Sequence, residues 1–355
     1  MATPLTIRDL AALCGVAVST ASRALNGHPE VSEATRQRVL EMAKKYNFVP
    51  NSSARSLKLH TDKVIALLVQ GDMSMIFLPM IDELNAAIKQ RGYSLMLTFI
   101  PDDQADPSTV ARIVRDRKIS GVIFLGRYSE IGQGALSSYR LAELGTPTVF
   151  CTTEDFSNAP AVHSSVAADD RGDSTRVVEQ LIALGHRRIA CIGTGPLNDP
   201  GQAWAMRVEG YRDAMVNAGL SYAGLIKESA QPEAVYTLEN GYRSASELLD
   251  AEVDFTAIFG ICDSVAIGAC KALTARGIRI PDDVSVAGFD DIEIARFVTP
   301  GITTVAQPLS QIVAETVRVL FETIADPGRT PEHVRIPGEP RIRESTGPVN
   351  VAVNH

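Results

Sequence analysis

The chain has 355 residues, 45% of them hydrophobic and 21% charged, and its mean hydropathy is +0.04. This length allows two or three globular domains, and the composition excludes a chain that is mainly disordered, collagen-like or coiled coil. No apolar run approaches the roughly 18 residues that span a bilayer. The N-terminus lacks a signal-peptide pattern, and the five cysteines are scattered. We therefore expect a cytoplasmic protein with no membrane partner.

Charge is divided unevenly along the chain. Residues 1–63 carry nine basic and five acidic side chains, a balance of +4, whereas the whole chain carries −8 and the remainder therefore −12. A basic segment on an acidic body predicts a polyanion-binding module attached to a part that does not bind polyanions.

The first 50 residues predict three short helices. Thr6 is a plausible cap for the first helix, and Gly15 ends it. The second helix is predicted to end near Asn26 and Gly27, and Ser32 is a plausible cap for the third. Two short helices around a turn that contains glycine, covered by a third helix, are typical of a helix-turn-helix. On periodicity alone, a three-helix bundle without a DNA role is an equal alternative.

From Lys63 onward, short apolar runs alternate with amphipathic stretches. The first series of predicted strands is VIALLV, SLMLTF, GVIFLG and TPTVFC, with helices over 78–91, 107–117 and 135–144. The second series is AVHSSV, RIACIG, FTAIFG and DVSVAGF, with helices near 170–184, 203–218, 239–250 and 264–276. The segments ITTV, 308–325 and HVRIP follow. Repeated βα units predict parallel sheets with helices on both faces and a ligand at the carboxyl ends of the strands.

Several segments of the sequence resemble segments of the LacI/GalR family of bacterial repressors and occur in the same order as in that family. They are TIRDLAALCGVAVSTASRALNG, VSEATRQRVLEMAKKYNFVPNSSARSLK, GHRRIACIG, RVEGYRDAMVNAGL, TAIFGICDSVAIGACKALTARGIRIPDDVSVAGFDD, ITTVAQPL and RESTGP. The resemblance covers nearly the whole chain and implies an α/β fold, with an all-α helix-turn-helix headpiece before a two-lobed, parallel-sheet core like that of periplasmic binding proteins.

The implied domains are a DNA-binding headpiece at 1–50, a hinge helix or linker at 51–61, and a ligand-binding and dimerisation domain at 62–355. Within this last domain, the N-lobe is expected at about 62–161 plus 292–332. The C-lobe is expected at about 162–291 plus 333–355.

The resemblance implies that the second helix lies in the DNA major groove. The implied groove-facing residues are Val18, Ser19 and Arg23, of which Arg23 can form a fork to guanine. The implied phosphate contacts are Thr6, Thr20, Ser22 and Asn26. Hydrogen bonding at helix ends is the alternative for Ser22 and Asn26. Ala17 stands where the family usually has Ser, so a capping hydroxyl is missing.

The segment PNSSARSLKL resembles the hinge of this family. Leu57 matches the residue that wedges between base pairs and kinks the DNA. Arg55 and Lys58 are expected near the groove and its phosphates. A plain interdomain linker is the alternative.

An effector site in the interlobe cleft is also implied. Its expected residues are Met75, Ile76, Phe77, Thr152, Arg207, Tyr236, Cys262, Asp263 and Asp290. The bland alternatives are that Arg207 pairs with Glu209 or Asp290, that Tyr236 is exposed and that 75–77 belong to the core.

Two departures from the family bear on the effector. Cys262 stands where many relatives have Asn, and Thr152 stands where Asp is frequent, so the pocket is expected to be less acidic and less amide-rich. A sugar is the first expectation. A sugar acid or similar metabolite is the second expectation, because an Arg207 that faces fewer acidic side chains would suit an anionic ligand.

Other classes of protein fit less well. An α/β enzyme that binds a small molecule is the main alternative, but the glycine pattern at Gly193–Gly195 is incomplete and no HExxH or GxSxG occurs. His186 is expected to be a cap or turn residue rather than a base. A solute-binding protein would not carry residues 1–60. We therefore predict no catalytic residue, metal or cofactor. The predicted function is a ligand-responsive repressor that binds a pseudo-palindromic operator in double-stranded DNA as a homodimer, with its effector controlling DNA affinity.

Overall fold

The computed structural model describes residues 5–25, 28, 30–46, 48, 63–70, 74–100, 112–114, 119–126, 145–153, 163–196, 203–229 and 234–349. The chain divides into two units, Met1–Asp62 and Lys63–His355. Asn26, Arg55, Leu57 and Lys58, and most of the predicted helices 107–117 and 135–144, lie outside the described residues. No helix in the described part is long and apolar enough to cross a membrane.

The first unit contains the three predicted helices, α1 (Ile7–Cys14), α2 (Val18–Leu25) and α3 (Glu33–Lys45). The predicted caps are confirmed, because the hydroxyls of Thr6 and Ser32 accept hydrogen bonds from helix amides, and Gly15 ends α1 in the left-handed conformation at φ 62°. The three helices pack around a small core of Leu10, Cys14, Ala24, Val31 and Val39.

The second unit alternates strands and helices, and most of the predicted elements are confirmed within two or three residues. Its strands are β1 (Val64–Gln70), β2 (Ser94–Ile100), β3 (Gly121–Gly126), β4 (Thr148–Cys151), β5 (Ser164–Ala168), β6 (Ile189–Thr194), β7 (Ile226–Glu228), β8 (Ala257–Gly260), β9 (Ser285–Ala287), β10 (Thr304–Ala306), β11 (His333–Ile336) and β12 (Glu339–Arg341). Its helices are α4 (Phe77–Gln90), α5 (Asp170–Ala183), α6 (Ala203–Asn217), α7 (Leu238–Asp250), α8 (Asp263–Ala275) and α9 (Leu309–Ala325), with a 3-10 turn at Glu293–Arg296.

Two parallel sheets organise the described residues of this unit. The first has the order β11-β5-β4-β3-β1-β2 and the second has the order β7-β6-β8-β9. A short antiparallel pair, β10 and β12, accompanies them. The central strands β4, β6 and β8 are buried along their whole length, and β3 is buried in all but its last residue, as expected when helices cover both faces of a parallel sheet.

The sheet pairing changes the lobe boundaries that were expected from the sequence. AVHSSV was assigned to the second series, yet β5 pairs with β4 in the first sheet. HVRIP was assigned to the C-lobe, yet β11 pairs with β5 and extends that same sheet. The segment from 292 to 306 was assigned to the N-lobe, yet Thr303 forms a bridge to Ala287 at the end of β9. Local apolar patterns identify strands but do not say which sheet they join, and this is why the boundaries near 161, 292 and 333 were wrong.

Helix α7 packs against α8 at very close range. A β-carbon on Gly241 would lie 2.1 Å from the carbonyl oxygen of Val265, and one on Gly268 would lie 2.0 Å from that of Leu238. Both obstacles are backbone atoms that side-chain motion does not remove. Glycine at these two positions therefore sets the spacing of the helices on the second sheet.

His186 is a buried structural residue between α5 and β6. Its Nδ1 lies 2.9 Å from the hydroxyl of Thr256, and its Nε2 lies 3.0 Å from that of Ser285 and 3.1 Å from the carbonyl oxygen of Gly347. The carbonyl oxygen can only accept, so Nε2 carries the proton and Nδ1 accepts from Thr256. The expected role as a turn residue is confirmed. Burial lowers the pKa of His186, against the hydrogen bond to Gly347, which raises it.

We predict that His186 makes the stability of the second unit depend on pH. The unfolded chain takes up a proton near pH 6.5, whereas the folded chain resists it, so the free energy of unfolding falls as pH drops below that value. The slope contributed by His186 is at most about 1.4 kcal/mol per pH unit. His186→Gln should flatten the slope between pH 5 and pH 6.5 in urea unfolding, at a cost of about 1 kcal/mol at neutral pH. His333→Gln, at an exposed position, is the control, and an equal flattening in that variant would contradict the assignment.

Candidate functional site

The exposed face of α2 is the candidate DNA interface. Val18, Ser19 and Arg23 are exposed, whereas Ala21 and Ala24 are buried against the rest of the head. Thr20 and Ser22 are half-buried between these faces. The helix therefore buries its small residues and presents the side chains that the sequence predicted to face the groove.

Thr6 caps α1 through three hydrogen bonds with Asp9. Its hydroxyl accepts from the Asp9 amide at 3.3 Å and its own amide donates to the Asp9 carboxylate at 2.9 Å, which together form a reciprocal cap. The hydroxyl also donates to that carboxylate at 2.6 Å. The two bonds that the hydroxyl and the amide of Thr6 donate to the carboxylate lower the pKa of Asp9. Thr6 lies at a helix N-terminus, where an anion is favoured, so the cap is compatible with the expected phosphate contact.

Arg207 is the centre of the candidate effector site in the second unit. Its side chain is only 4% exposed and extends from α6. Nε donates to the carboxylate of Asp170 at 2.7 Å, and Nη1 donates to the carbonyl oxygen of Ile261 at 2.7 Å and lies 3.0 Å from the carboxylate of Asp290. The guanidinium also lies 4.0 Å from the centre of the Phe289 ring. Burial opposes its charge, but Asp290 and Asp170 raise the pKa of Arg207 overall, so it carries a firm positive charge.

Asp290 faces Arg207 from a strained turn. Its φ is 112°, and that of Asp291 is 55°, two consecutive left-handed values without glycine. The Asp290 amide donates to the carbonyl oxygen of Val305 at 2.9 Å, and its carboxylate accepts from the Gln307 amide at 2.6 Å. Burial raises the pKa of Asp290, while Arg207 lowers it.

Asp263 supports that turn from the start of α8. Its amide donates to the carbonyl oxygen of Phe289 at 2.7 Å, and its Oδ2 accepts from the Ile292 amide at 2.9 Å. Burial and the neighbouring Asp290 raise the pKa of Asp263 well above its usual range. The carboxyl group therefore contacts the turn and, through a hydrogen bond with the side chain of Thr304, the strand β10. Its contact with an effector stays a prediction.

Tyr236 and Cys262 complete the group around Arg207. The hydroxyl of Tyr236 accepts from the amide of Trp204 at 3.3 Å, at the first turn of α6. Cys262 immediately precedes α8 and is buried. Burial raises the pKa values of both side chains, so each is present in its neutral form.

The structure thus brings five of the predicted effector residues together and places four elsewhere. Arg207, Tyr236, Cys262, Asp263 and Asp290 share one electrostatic neighbourhood in the second lobe. The other four follow strands of the first sheet, with Met75 54% exposed, Ile76 and Phe77 buried in the main core cluster, and Thr152 half-buried at φ 71°.

Asp170, Phe289, Trp204 and Gln307 are the members of the site that the sequence analysis missed. Asp170 follows a buried strand at the start of a helix, and Gln307 follows ITTVA, so both stood at strand ends where ligands bind. The expectation that Arg207 has few opposing acids is wrong, because Asp170 and Asp290 both face it. Pairing with Asp290 is confirmed, and Glu209 pairs with Arg212 instead.

Two family models match the chain. Residues 6–51 match the bacterial regulatory proteins of the lacI family, and residues 178–346 match a periplasmic binding protein-like domain. The HTH-type transcriptional regulator MalR of Clostridium butyricum is 32% identical over 342 residues, which cover 96% of this chain and 98% of MalR.

Solved structures agree with the fold. The transcriptional regulator CelR in complex with cellobiose is 29% identical with a TM-score of 0.71, over 96% of this chain and 99% of CelR. The lac repressor dimer bound to operator and an anti-inducer is 21% identical with a TM-score of 0.73, over 97% of this chain and 100% of that one, and supports the fold alone.

We predict that the charge of Arg207 stabilises the second lobe. Arg207→Met leaves two buried carboxylates without a cation and should lower the free energy of unfolding by on the order of 3–5 kcal/mol at pH 7. The loss should shrink toward pH 5 as the carboxyl groups take up protons. Arg171→Met, which breaks the exposed pair with Asp213, is the control and should cost at most about 1 kcal/mol. Equal losses in the two variants, measured by chemical unfolding, would show that Arg207 is not the electrostatic centre of the lobe.

Proposed function

Because the chain belongs to the lacI family of bacterial regulatory proteins, we propose that it is a repressor that binds a pseudo-palindromic operator as a homodimer. A small effector that binds the second unit would raise or lower the affinity of the dimer for the operator. The chain is a DNA-binding transcriptional regulator, as are its relatives. The proposal assigns no catalytic step to the chain. Its DNA partner implies a cytoplasmic location.

The exposed face of α2 carries the proposal. Val18 and Arg23 stand clear of the head, with Arg23 able to form a bidentate fork to guanine O6 and N7 and Val18 able to contact a thymine methyl. Ser19 adds a weakly discriminating hydroxyl. Thr6, Thr20, Ser22 and Asn26 are the proposed phosphate contacts, which fix the position of the head on the duplex.

The hinge proposal rests on the resemblance of residues 50–59. A helix of fewer than ten residues is marginal in water, so we propose that this segment forms its helix only against DNA and the paired hinge of a second subunit. Leu57 would then wedge into the minor groove, with Arg55 and Lys58 near its phosphates.

The homodimer is supported by exposed apolar side chains beside the Asp290 turn. Phe297 is 70% exposed and Ile294 is 44% exposed, on and next to the 3-10 turn. Side chains of this kind are enriched in the cores of subunit interfaces. A dimer also provides two heads for one site, because a single head reads few base pairs.

We predict that selection from a pool of random duplexes gives a pseudo-palindromic site with two half-sites. Leu57→Ala should weaken binding to that site by about tenfold or more, because the kinked complex loses its wedge, while binding to a mixed-sequence duplex at the same salt concentration changes little. Leu59→Ala is the matched control in the same segment. Equal losses on both duplexes would contradict the wedge.

For the effector, we propose a neutral sugar or sugar derivative bound between the two lobes. The charge of Arg207 is already met by Asp170 and Asp290, and the carboxyl of Asp263 has no cation among its described contacts. An anionic ligand would add charge of the same sign as the two carboxylates of Asp170 and Asp290, whereas hydroxyl groups can donate to Asp290 and accept from Arg207. The cellobiose complex of CelR supports a sugar as the ligand class.

The proposed site has two walls. Arg207, Tyr236, Cys262, Asp263 and Asp290 supply the second lobe, directly or by supporting the Asp290 turn. Met75, Ile76, Phe77 and Thr152 supply the strand ends of the first lobe. Cys262 offers a neutral thiol where an amide would offer two polar atoms, so it favours a less hydroxylated part of the ligand.

Trp204 provides a direct measurement of effector binding, because it is the sole tryptophan, is 4% exposed and is linked to Tyr236. We predict that a panel of matched pairs, including cellobiose with cellobionate and glucose with glucuronate, gives an emission change only with neutral members. A binder should stabilise the protein by about 2.7 kcal/mol at a hundredfold excess over its Kd.

Asp290→Asn should abolish that response, since Asn tolerates the left-handed backbone but removes the carboxylate. Asp213→Asn, at an exposed ion pair, is the control. A response to the acidic members alone would overturn the charge argument. Silence across the panel, with operator binding intact, would remove sugars as the effector and leave the regulator assignment standing.

A further inference from the structure

Arg23 has an acidic partner on the surface of the head. Its Nη1 lies 3.4 Å from the carboxylate of Glu30, and the two side chains are 55% and 69% exposed. Glu30 is not part of α2 but belongs to the segment that connects α2 with α3. The residue proposed to read guanine is therefore paired with a carboxylate before any DNA is present.

Three backbone contacts of His28 hold a residue close to Glu30. The amide of His28 donates to the carbonyl oxygen of Arg23 at 3.0 Å. The carbonyl oxygen of His28 accepts from the amide of Val31 at 3.3 Å and from the guanidinium of Arg36 at 3.0 Å. The side chain of Val31 is buried in the core of the head. His28 is thus tied to Arg23 and Arg36, and Val31 to His28 and the core, and Glu30 lies between these two residues in the chain.

We propose that Glu30 is a specificity-determining residue, which orients Arg23 toward a base edge and opposes its capture by phosphates. This inference rests on the DNA-binding role proposed for α2. A guanidinium has five N–H donors, so a carboxylate at Nη1 leaves the edge formed by Nε and Nη2 for guanine O6 and N7. The same carboxylate repels phosphates, which supply most of the binding energy when a protein contacts mixed-sequence DNA.

The exposure of the pair places its effect in DNA binding rather than in folding. An ion pair between exposed side chains contributes little to stability, because solvent screens it and both side chains lose freedom. Next to a duplex the balance differs, since each charge at the interface is weighed against a dense row of phosphates. Glu30→Gln should therefore leave the melting temperature of the head nearly unchanged while altering its DNA preferences.

Glu33 provides a matched control in the same unit. It pairs with Arg36 at 3.4 Å, and its side chain is 68% exposed. Glu33→Gln removes the same charge from the head at the same pair distance, but from Nη1 of an arginine that lies on α3 and whose bond to the His28 carbonyl oxygen is made by Nη2. Any effect of net charge alone should appear equally in both variants.

The test compares wild type, Glu30→Gln and Glu33→Gln by selection from random duplexes and by titration of one mixed-sequence duplex at fixed salt. We expect Glu30→Gln to bind the mixed-sequence duplex roughly tenfold more tightly and to lose preference at one guanine position of each half-site. Glu33→Gln should select the wild-type sequence, with a smaller gain in mixed-sequence affinity. In an Arg23→Ala background, Glu30→Gln should no longer change the selected bases.

Each outcome decides between the two proposals. An unchanged selected sequence with an unchanged ratio of specific to mixed-sequence affinity in Glu30→Gln would overturn the role of Glu30. Equal shifts in the two glutamine variants would overturn it as well, because net charge would then be the cause. A wild-type protein that selects no sequence and binds no duplex would instead refute the function proposed for the head.

Discussion

The second unit depends on the two ion pairs that Arg207 forms with Asp170 and Asp290. One buried guanidinium joins Asp170 at the start of α5, Asp290 on the turn after β9 and the carbonyl oxygen of Ile261 after β8. Burying these charges separately would be very costly, and together they satisfy one another. The chain leaves the first sheet after β5, and Asp169 and Asp170 begin the helix that leads to the second sheet. The ion pairs of Arg207 therefore include a residue at the connection between the two lobes.

The turn that carries Asp290 explains the late RESTGP motif. Asp291 accepts from the guanidinium of Arg343, and the Ser345 hydroxyl accepts from the amide of Thr303 at 2.8 Å and donates to the carbonyl oxygen of Val286 at 2.6 Å. The motif thus joins the last strand of the second sheet to the segment that returns from the turn. Two left-handed residues in succession cost on the order of 1–3 kcal/mol each. Hydrogen bonds with Asp263 on one side and Arg343 on the other stabilise the strained turn, which places the Asp290 carboxylate next to Arg207.

The sequence predicted helices and strands well and predicted their partners poorly. Capping residues and apolar periods are local, so the three head helices and the βα units of the body could be identified from residues such as Thr6, Gly15 and Ser32. Membership of a sheet is not local: β5 and β11 carry short apolar patterns that fit either lobe, and only the pairing of β5 with β4 and of β11 with β5 decides. The same limit applied to the site. The motifs identified Arg207 and Asp290 as candidates. Asp170 lies 37 positions from Arg207, and no local pattern in the sequence predicts that these two residues pair.

The two arginines that we propose for DNA reading and effector binding show how burial changes the role of an ion pair. Arg207 is enclosed, so its carboxylates fix its charge and position, and any ligand must fit a group that is already compensated. Arg23 is exposed, so Glu30 holds it only weakly and can be outcompeted by a base edge that offers two well-placed acceptors. A weak, exposed pair suits a DNA reader, because it can be exchanged at each site the protein samples. A strong, buried set of ion pairs suits an effector pocket, because a rigid charge pattern converts the chemistry of a ligand into a preference between lobe arrangements. The acidic body and the basic head therefore use the same two chemical groups, a guanidinium and a carboxylate, in different ways. The pair is rigid where it is buried and exchangeable where solvent reaches it.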